Sequence, residues 1–133
     1  MAGETHSGGC LCGAVTYNVA GPLAPPVGCH CSQCRRQTGH FLVSTEVERD
    51  RFALEAGEPL RWFASSATAR RGFCGQCGSV LFWESEGSDT IAIAMGGFDA
   101  PTGVELTQHI FVADKGDYYD VDETPASAEG PVG

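Results

Sequence analysis

Three short cysteine clusters constrain the fold of this chain more than any other feature of its sequence. They contain all seven cysteines, with the spacings Cys10-x-Cys12, Cys29-x-Cys31-x2-Cys34 and Cys74-x2-Cys77. Such spacings are typical of cysteines that bind a metal ion together. An ion shared between clusters would hold distant parts of the chain together, so we expect folding to depend on metal binding. The seven thiolates divide into one set of four and one set of three.

The first and third clusters together predict a closed structural zinc site. On a strand, the side chains of Cys10 and Cys12 point to the same face, so both thiolates are available to one ion. Cys74 and Cys77, each followed by glycine, have the form of a zinc knuckle, in which glycine lets backbone amides turn toward the sulfurs. The four thiolates would complete a tetrahedral site that joins an N-terminal strand to a hairpin more than 60 residues away.

The middle cluster predicts a second zinc site with an open position. Cys29, Cys31 and Cys34 supply three thiolates within six residues, and three protein ligands with one exchangeable position is the arrangement of catalytic zinc. Soft thiolate ligands suit zinc or an iron–sulfur cluster, and seven cysteines fit two zinc ions better than two such clusters. We therefore expect two zinc ions per chain.

The sequence leaves other interpretations of the middle cluster open. A histidine could complete a second structural site, and the candidates are His30, His40 and His109. The side chain of His30 would point away from the neighbouring cysteines if the segment is extended. A thioredoxin-like redox pair would require a βαβ pattern, which the sequence does not show. His109 and Asp99 are candidates for proton transfer, although polar residues in a late strand or turn are more often structural.

Short stretches of alternating apolar and polar residues predict an all-β, mainly antiparallel fold with very little helix. Turn-forming residues bound them, as is typical of strands, and they lie at residues 15–19, 41–47, 60–63, 79–83, 90–95 and 109–112. Residues 32–37 are expected to form a single helical turn capped by Ser32. A chain of 133 residues is expected to be one domain, ordered over about residues 5–123, with a flexible tail at 124–133.

The charge and hydropathy of the chain disfavour several classes of partner. Its net charge is -9, with 17 acidic and 8 basic residues, whereas affinity for nucleic acid or an anionic membrane depends on clustered Lys and Arg. No apolar run approaches the ~18 residues of a membrane span, and residues 1–7 lack the pattern of a signal peptide. We therefore expect a cytoplasmic protein whose cysteines bind metal rather than form disulfides. Exposed strand edges are compatible with pairing of two copies of the chain into a homodimer.

Two arginine pairs adjoin the cysteine clusters. Arg35 and Arg36 follow the middle cluster, and Arg70 and Arg71 precede the third. Arginine binds carboxylates through two parallel hydrogen bonds, so Arg35 and Arg36 are the predicted contacts for a small anionic substrate. The alternative is that the arginines offset thiolate charge or pair with surface acids. Both interpretations place them near metal.

Three segments around the cysteines resemble the glutathione-dependent formaldehyde-activating enzyme family, whose domain also occurs in centromere protein V. They are Gly-Cys-Leu-Cys-Gly-Ala-Val at 9–15, Cys-His-Cys-Ser-Gln-Cys-Arg-Arg-Gln-Thr-Gly at 29–39 and Arg-Gly-Phe-Cys-Gly-Gln-Cys-Gly at 71–78. Residues 109–115 are also similar to the end of the family's domain. The resemblance covers about residues 8–125.

This resemblance implies an all-β fold of the β-tent type, two zinc ions and carbon–sulfur lyase activity. It assigns the structural zinc to Cys10, Cys12, Cys74 and Cys77 and the catalytic zinc to Cys29, Cys31 and Cys34. In the family's named reaction, glutathione and formaldehyde combine reversibly to form S-(hydroxymethyl)glutathione. The alternative is a non-catalytic, zinc-stabilised binding module of the centromere protein V type. Metal buffering or redox sensing by the thiols is a third hypothesis.

Overall fold

The computed structural model describes residues 4–121, which form ten β-strands, one α-helix and three short 3-10 turns. The strands are β1 Thr5–Gly9, β2 Thr16–Ala20, β3 Val27–Cys29, β4 Leu42–Glu48, β5 Phe52–Ala56, β6 Leu60–Ala64, β7 Ala69–Cys74, β8 Val80–Ser85, β9 Thr90–Ala94 and β10 Gln108–Ile110. Helix α1 is Ser32–Thr38, and the 3-10 turns are Arg49–Arg51, Met95–Gly97 and Val112–Asp114. The predicted all-β class with very little helix is confirmed.

The strands form two sheets. The smaller sheet has the order β1-β2-β5, and the larger has the order β10-β3-β4-β9-β8-β7-β6. Neighbouring strands are antiparallel, with the exception of β10, which runs parallel to β3. This parallel pair departs from the predicted pattern because a long connection, residues 95–107, returns the chain to the far edge of the larger sheet.

The two faces of the larger sheet have different roles because side chains alternate along a strand. One face packs on the smaller sheet. The shared core includes Tyr17 and Val19 from the smaller sheet, Val15 just before β2, and Val47, Phe82 and Ile93 from the larger sheet. The Tyr17 ring meets the edges of Phe82 and Phe98 at centroid distances of 5.4 and 5.5 Å. The opposite face of the larger sheet is therefore free to form a site with helix α1.

Several strands and the helix differ from the sequence predictions. All six predicted stretches overlap strands, but β1, β3, β5 and β7 were not predicted. β1 and β3 contain glycine, and β7 carries two adjacent arginines after Ala69. Helix α1 starts at Ser32 as expected, yet its N-cap is Cys31, whose sulfur accepts a hydrogen bond from the Cys34 amide. The predicted tail at 124–133 lies outside the described residues. No helix in the described part of the chain is long and apolar enough to span a membrane.

Candidate metal centres and the adjoining cavity

The first and third cysteine clusters come together where the β1–β2 turn approaches the β7–β8 turn. The sulfur atoms of these four cysteines all lie within 4.8 Å of one another. Cys74 ends β7, and Cys77 lies in the turn before β8. The prediction that Cys10 and Cys12 lie on a strand is wrong: β1 ends at Gly9, and both cysteines follow it in a turn. The turn, rather than strand alternation, therefore brings their sulfurs together.

The spacing of these four sulfurs fits a tetrahedral zinc ion. Thiolates that bind zinc at ~2.3 Å in a tetrahedron are about 3.8 Å apart. The Sγ atoms of Cys10 and Cys12 are 3.6 Å apart, and those of Cys12 and Cys74 are 3.8 Å apart. All four donors are sulfur, as in closed structural zinc sites. The residues of this four-cysteine cluster therefore fit the ion that the sequence predicts.

Backbone amides and a hydroxyl stabilise negative charge on these sulfurs. The amides of Gln76 and Cys77 each donate to Cys74 Sγ at 3.4 Å, and the Val15 amide donates to Cys10 Sγ at 3.3 Å. Hydrogen bonds from the hydroxyl and the amide of Ser79 lower the pKa of the Cys77 thiol to about 5. Thiolates rather than thiols bind metal, so the contacts with Ser79 favour the metal-binding form of Cys77.

The middle cluster is formed by the junction of β3 and α1. Cys29 ends β3, Cys31 caps the helix and Cys34 lies in its first turn, and their sulfurs all lie within 4.8 Å of one another. A hydrogen bond with the Cys29 thiol, together with the Arg71 guanidinium, lowers the pKa of the Cys34 thiol to about 6, although burial opposes this. The same hydrogen bond and burial raise the pKa of the Cys29 thiol. The three-cysteine cluster thus keeps negative charge on Cys34, next to the guanidinium group of Arg71.

Arg71 is the residue whose position the sequence did not reveal. It precedes the third cluster in the chain, but its side chain reaches the middle one: both terminal nitrogens lie 3.6 Å from Cys34 Sγ. Gln37 Oε1 accepts from Arg71 Nη1 at 2.8 Å, and Gln33 Oε1 accepts from Nη2 at 3.1 Å. The side chain is only 4% exposed. The sequence signal was an arginine pair beside the third cluster, which does not show that the fold places Arg71 against the middle cluster.

A cavity of about 460 Å³ opens beside the middle cluster on the free face of the larger sheet. Register partners on neighbouring strands form its floor: Arg71 pairs with Trp83, Trp83 with Ala92, and Ala92 with Glu46. All three middle cysteines also line it. The remaining lining residues are Ala24, Pro25, Val27, Leu42, Ser44, Ile110 and Phe111. The candidate ligand set thus faces a space large enough for a small molecule.

The candidate histidine ligands lie apart from the middle sulfurs. Among the described residues, the middle metal-binding group contains only the three cysteines. The buried ring of His30 hydrogen-bonds through Nε2 to His109 Nδ1 at 2.9 Å and through Nδ1 to the Tyr119 hydroxyl at 2.7 Å. His40 Nδ1 contacts the Tyr118 hydroxyl at 2.7 Å. Burial, followed by the nearby His109, lowers the pKa of His30 to about 4, so the ring is neutral near pH 7.

The other predicted site residues lie outside the cavity wall. Arg36 is exposed and lines a separate recess on the other side of α1, with Trp62 and Phe63. Arg35 is half-buried and lines a polar recess with Lys115. Asp99 is exposed, and its backbone amide donates to the Ser7 carbonyl. Contact of Arg35 and Arg36 with a substrate stays a prediction.

The chain is similar to known proteins over most of its length. A family model described as "Glutathione-dependent formaldehyde-activating enzyme" matches residues 5–114. A protein of Schizosaccharomyces pombe described as an uncharacterized lyase is 26% identical over 117 residues, which are 86% of this chain and 84% of that protein. The crystal structure of a Rhodobacter sphaeroides protein has a similar fold, with a TM-score of 0.61 and 23% identity, covering 73% of this chain and 91% of that one.

Proposed function

Because the chain belongs to the glutathione-dependent formaldehyde-activating enzyme family, we propose that it is a carbon–sulfur lyase that cleaves and forms thiol–aldehyde adducts. The reference reaction is the reversible combination of glutathione and formaldehyde. The relative described as a lyase supports the reaction class. The observation that carries the proposal is that Cys29, Cys31 and Cys34 form a three-thiolate set and also line the cavity.

We propose that each chain holds two zinc ions with different roles. The four-cysteine cluster supplies a complete tetrahedral set, which suits a structural ion that is closed to substrate. The three-cysteine cluster supplies one ligand fewer, which suits an ion with an exchangeable position. Zinc held there would supply Lewis acidity toward the adduct. The all-sulfur donor set supports zinc over harder cations such as magnesium.

The reaction needs neither an oxidant nor a second substrate in the cleavage direction. The carbon–sulfur bond breaks and its electron pair stays on sulfur, while the electron pair of the adduct's O–H bond forms the C=O bond. The hydroxyl proton leaves to water, and the sulfur leaves as a thiolate that takes up a proton in solution. Arg71, whose charge lies beside Cys34, favours the thiolate form of that cysteine. The apolar cavity walls limit the access of water to the reacting carbon.

A kinetic experiment with two matched variants tests the proposal. Zinc-loaded protein should speed the approach of glutathione and formaldehyde to equilibrium, measured by NMR exchange or by trapping free formaldehyde. Cys31→Ser removes one thiolate of the middle cluster and should abolish the acceleration, leaving a folded protein with about one zinc by elemental analysis. The control is Ser32→Ala, a neighbouring exposed side chain on the same helix, which should keep both the rate and two zinc ions.

The same experiment distinguishes the alternative function. A protein that carries both zinc ions but accelerates no thiol–aldehyde reaction would contradict the lyase proposal. That result would favour the non-catalytic binding module of the centromere protein V type. Equal rates for Cys31→Ser and the unaltered protein would also contradict the assigned role of the middle cluster.

A further inference from the structure

We infer that the cavity beside the middle cysteines binds an apolar group, so that the substrate is the adduct of a thiol with an apolar aldehyde larger than formaldehyde. The reaction in this inference rests on the proposed function, but the binding preference rests on the cavity alone. Both parts are therefore open to separate tests.

The residues around the reacting position are apolar. Cys29 has Leu42 on β4 and Ile110 on β10 as its register partners, so the three side chains share one face of the sheet. Phe111 packs against the same cysteines and is 6% exposed. A group attached to a carbon held next to these sulfurs must therefore lie against hydrocarbon, where burial of an apolar chain is favourable.

The far side of the cavity continues this apolar surface. Trp83 and Ala92 form the floor, and Ala24 and Val27 lie on the wall. The volume of about 460 Å³ is within the ~300–1,000 Å³ of ordinary small-molecule sites. A one-carbon aldehyde would leave most of this space unfilled, whereas an alkyl or aryl aldehyde would cover Trp83 and Leu42.

The charges of the lining residues do not favour a highly polar ligand. Among the residues that line the cavity, Arg71 is the one cationic side chain, and it is already bonded to Cys34 and to Gln33 and Gln37. The other charged lining residue is Glu46, an exposed carboxylate that would repel an anion. A ligand with two carboxylates and an ammonium group could pair its ammonium group with Glu46, but its two carboxylates would lose water and meet only Arg71, whose terminal nitrogens are already bonded.

Calorimetric titration of the zinc-loaded protein with unbranched thiols tests the binding preference directly. Each added methylene should strengthen binding about fourfold, so hexanethiol, which has four more methylenes, should bind about 250-fold more tightly than ethanethiol. The heat-capacity change should become more negative with chain length, which is the marker of apolar burial. Affinity that is independent of chain length, or glutathione binding more tightly than hexanethiol, would overturn the inference.

Two cavity variants and one control locate the binding. Ala24→Leu fills part of the cavity and should remove most of the advantage of hexanethiol over ethanethiol, while Leu42→Ala should weaken hexanethiol selectively. Phe63→Ala is the control, because Phe63 is 62% exposed and lies outside the cavity. Thermal unfolding of each variant checks that it is folded. If Phe63→Ala weakened hexanethiol binding as much as Leu42→Ala, the site would be elsewhere and the inference wrong.

A turnover comparison separates this inference from the proposed function. The adducts of formaldehyde and of hexanal with 2-mercaptoethanol differ only in the aldehyde. We expect the hexanal adduct to be cleaved with at least a tenfold higher kcat/KM. If the formaldehyde adduct is cleaved with a kcat/KM equal to that of the hexanal adduct, the lyase proposal stands and the apolar-aldehyde inference fails. If neither is cleaved although binding depends on chain length, the lyase proposal fails and the apolar site stands.

Discussion

At the level of single residues, Arg71 adjoins the third cysteine cluster in the sequence but contacts the middle cluster in the fold. It is three positions before Cys74 in the chain, but β7 carries its side chain to the opposite, cavity-lining face, under helix α1. There it donates to Cys34 Sγ, and two glutamine side chains hold its guanidinium group in place. A hydrogen-bond donor behind a metal ligand orients the ligand and tunes its charge. Arg71 therefore belongs to the environment of the middle cluster and not to that of the third.

Arg71→Lys should weaken zinc binding at the middle cluster about 10–100-fold. Lysine keeps the charge but loses the planar fork that spans Cys34, Gln33 and Gln37. Competition with a chelating dye should show earlier release of one of the two zinc ions. The control is Arg70→Lys, because Arg70 points to the other face and bonds to Glu84. Unchanged release from Arg71→Lys, or equal effects of both variants, would contradict the assigned role.

Gly39 ends helix α1 for a reason that is local to its backbone. It adopts a left-handed conformation with φ of 85°, and its amide donates to the Arg35 carbonyl. No heavy atom lies within 4 Å of the position that a Cβ would take. The requirement for glycine is therefore conformational and not steric.

Gly39→Ala should reduce the free energy of unfolding by about 1–2 kcal/mol, since a side chain is disfavoured in the left-handed region. The matched control is Gly96→Ala: space around this Cβ is equally open, but the backbone is not left-handed. The control should be neutral or slightly stabilising. Urea unfolding of the zinc-loaded variants measures both values. A similar loss in both variants would mean that the left-handed backbone is not the cause.

At the scale of the element, Glu84 on β8 joins two other parts of the larger sheet. Its carboxylate accepts from Arg49 at 2.7 Å and from Arg70 at 2.5 Å, and its side chain is 10% exposed. Although burial alone would raise the pKa of this carboxyl, the hydrogen bonds from Arg49 and Arg70 lower it overall. Arg70 also covers the Trp62 ring at 4.0 Å. One carboxylate on β8 thus links this strand to β7 and to the 3-10 turn that follows β4.

Glu84→Gln should reduce the free energy of unfolding by about 1–2 kcal/mol at pH 7, a value kept low because both arginines are about half exposed. A lowered folded-state pKa means that the stabilisation is present above the ordinary carboxyl pKa and is lost as the pH falls through the lowered one. The control is Glu48→Gln, an exposed acid paired with Arg51. Acid release of metal affects both variants equally. The difference in the free energy of unfolding between the two variants should therefore disappear in acid. A difference in this free energy that persists in acid would contradict the ion-pair explanation.

At the scale of the whole molecule, the four-cysteine cluster is the contact that joins the turns of the two sheets. Cys10 and Cys12 belong to the turn between β1 and β2 of the smaller sheet, and Cys74 and Cys77 to the turn between β7 and β8 of the larger one. Since such a site rarely exists in the unfolded chain, the free energy of binding a metal ion there would add to folding stability. The exposed position of Cys12 gives no indication of this role.

Cys12→Ser should remove one zinc ion and reduce the free energy of unfolding by about 4 kcal/mol or more, the size of effect expected when a structural metal is lost. The matched control is Leu11→Ala, since Leu11 lies beside Cys12 and is 88% exposed; it should change stability by less than ~0.5 kcal/mol. Elemental analysis and denaturant unfolding give the two readouts. A Cys12→Ser protein that keeps the stability of the unaltered chain would show that this cluster does not support the fold.

Local patterns in the sequence are enough to predict the β class and the cysteines that act together within each short cluster. Alternation with a period of two predicts a strand, and short cysteine spacings bring sulfurs together whatever the rest of the fold does. Even there, the strand prediction for Cys10 and Cys12 failed, since a turn at Gly13 replaces the extended backbone. The identity of Cys31 as the helix cap was also missed, because its sulfur takes the place usually filled by an oxygen.

The surroundings of the middle cluster, in contrast, follow from long-range strand pairing. The cavity floor follows the register of four strands, from Arg71 through Trp83 and Ala92 to Glu46, and register between distant strands leaves no local mark in the sequence. For the same reason the arginines beside Cys34 in the chain lie outside the cavity, whereas Arg71, distant in sequence, lines it. Local spacing determines which sulfurs within one cluster lie together, whereas long-range strand pairing brings the first cluster to the third and sets which side chains a substrate would meet.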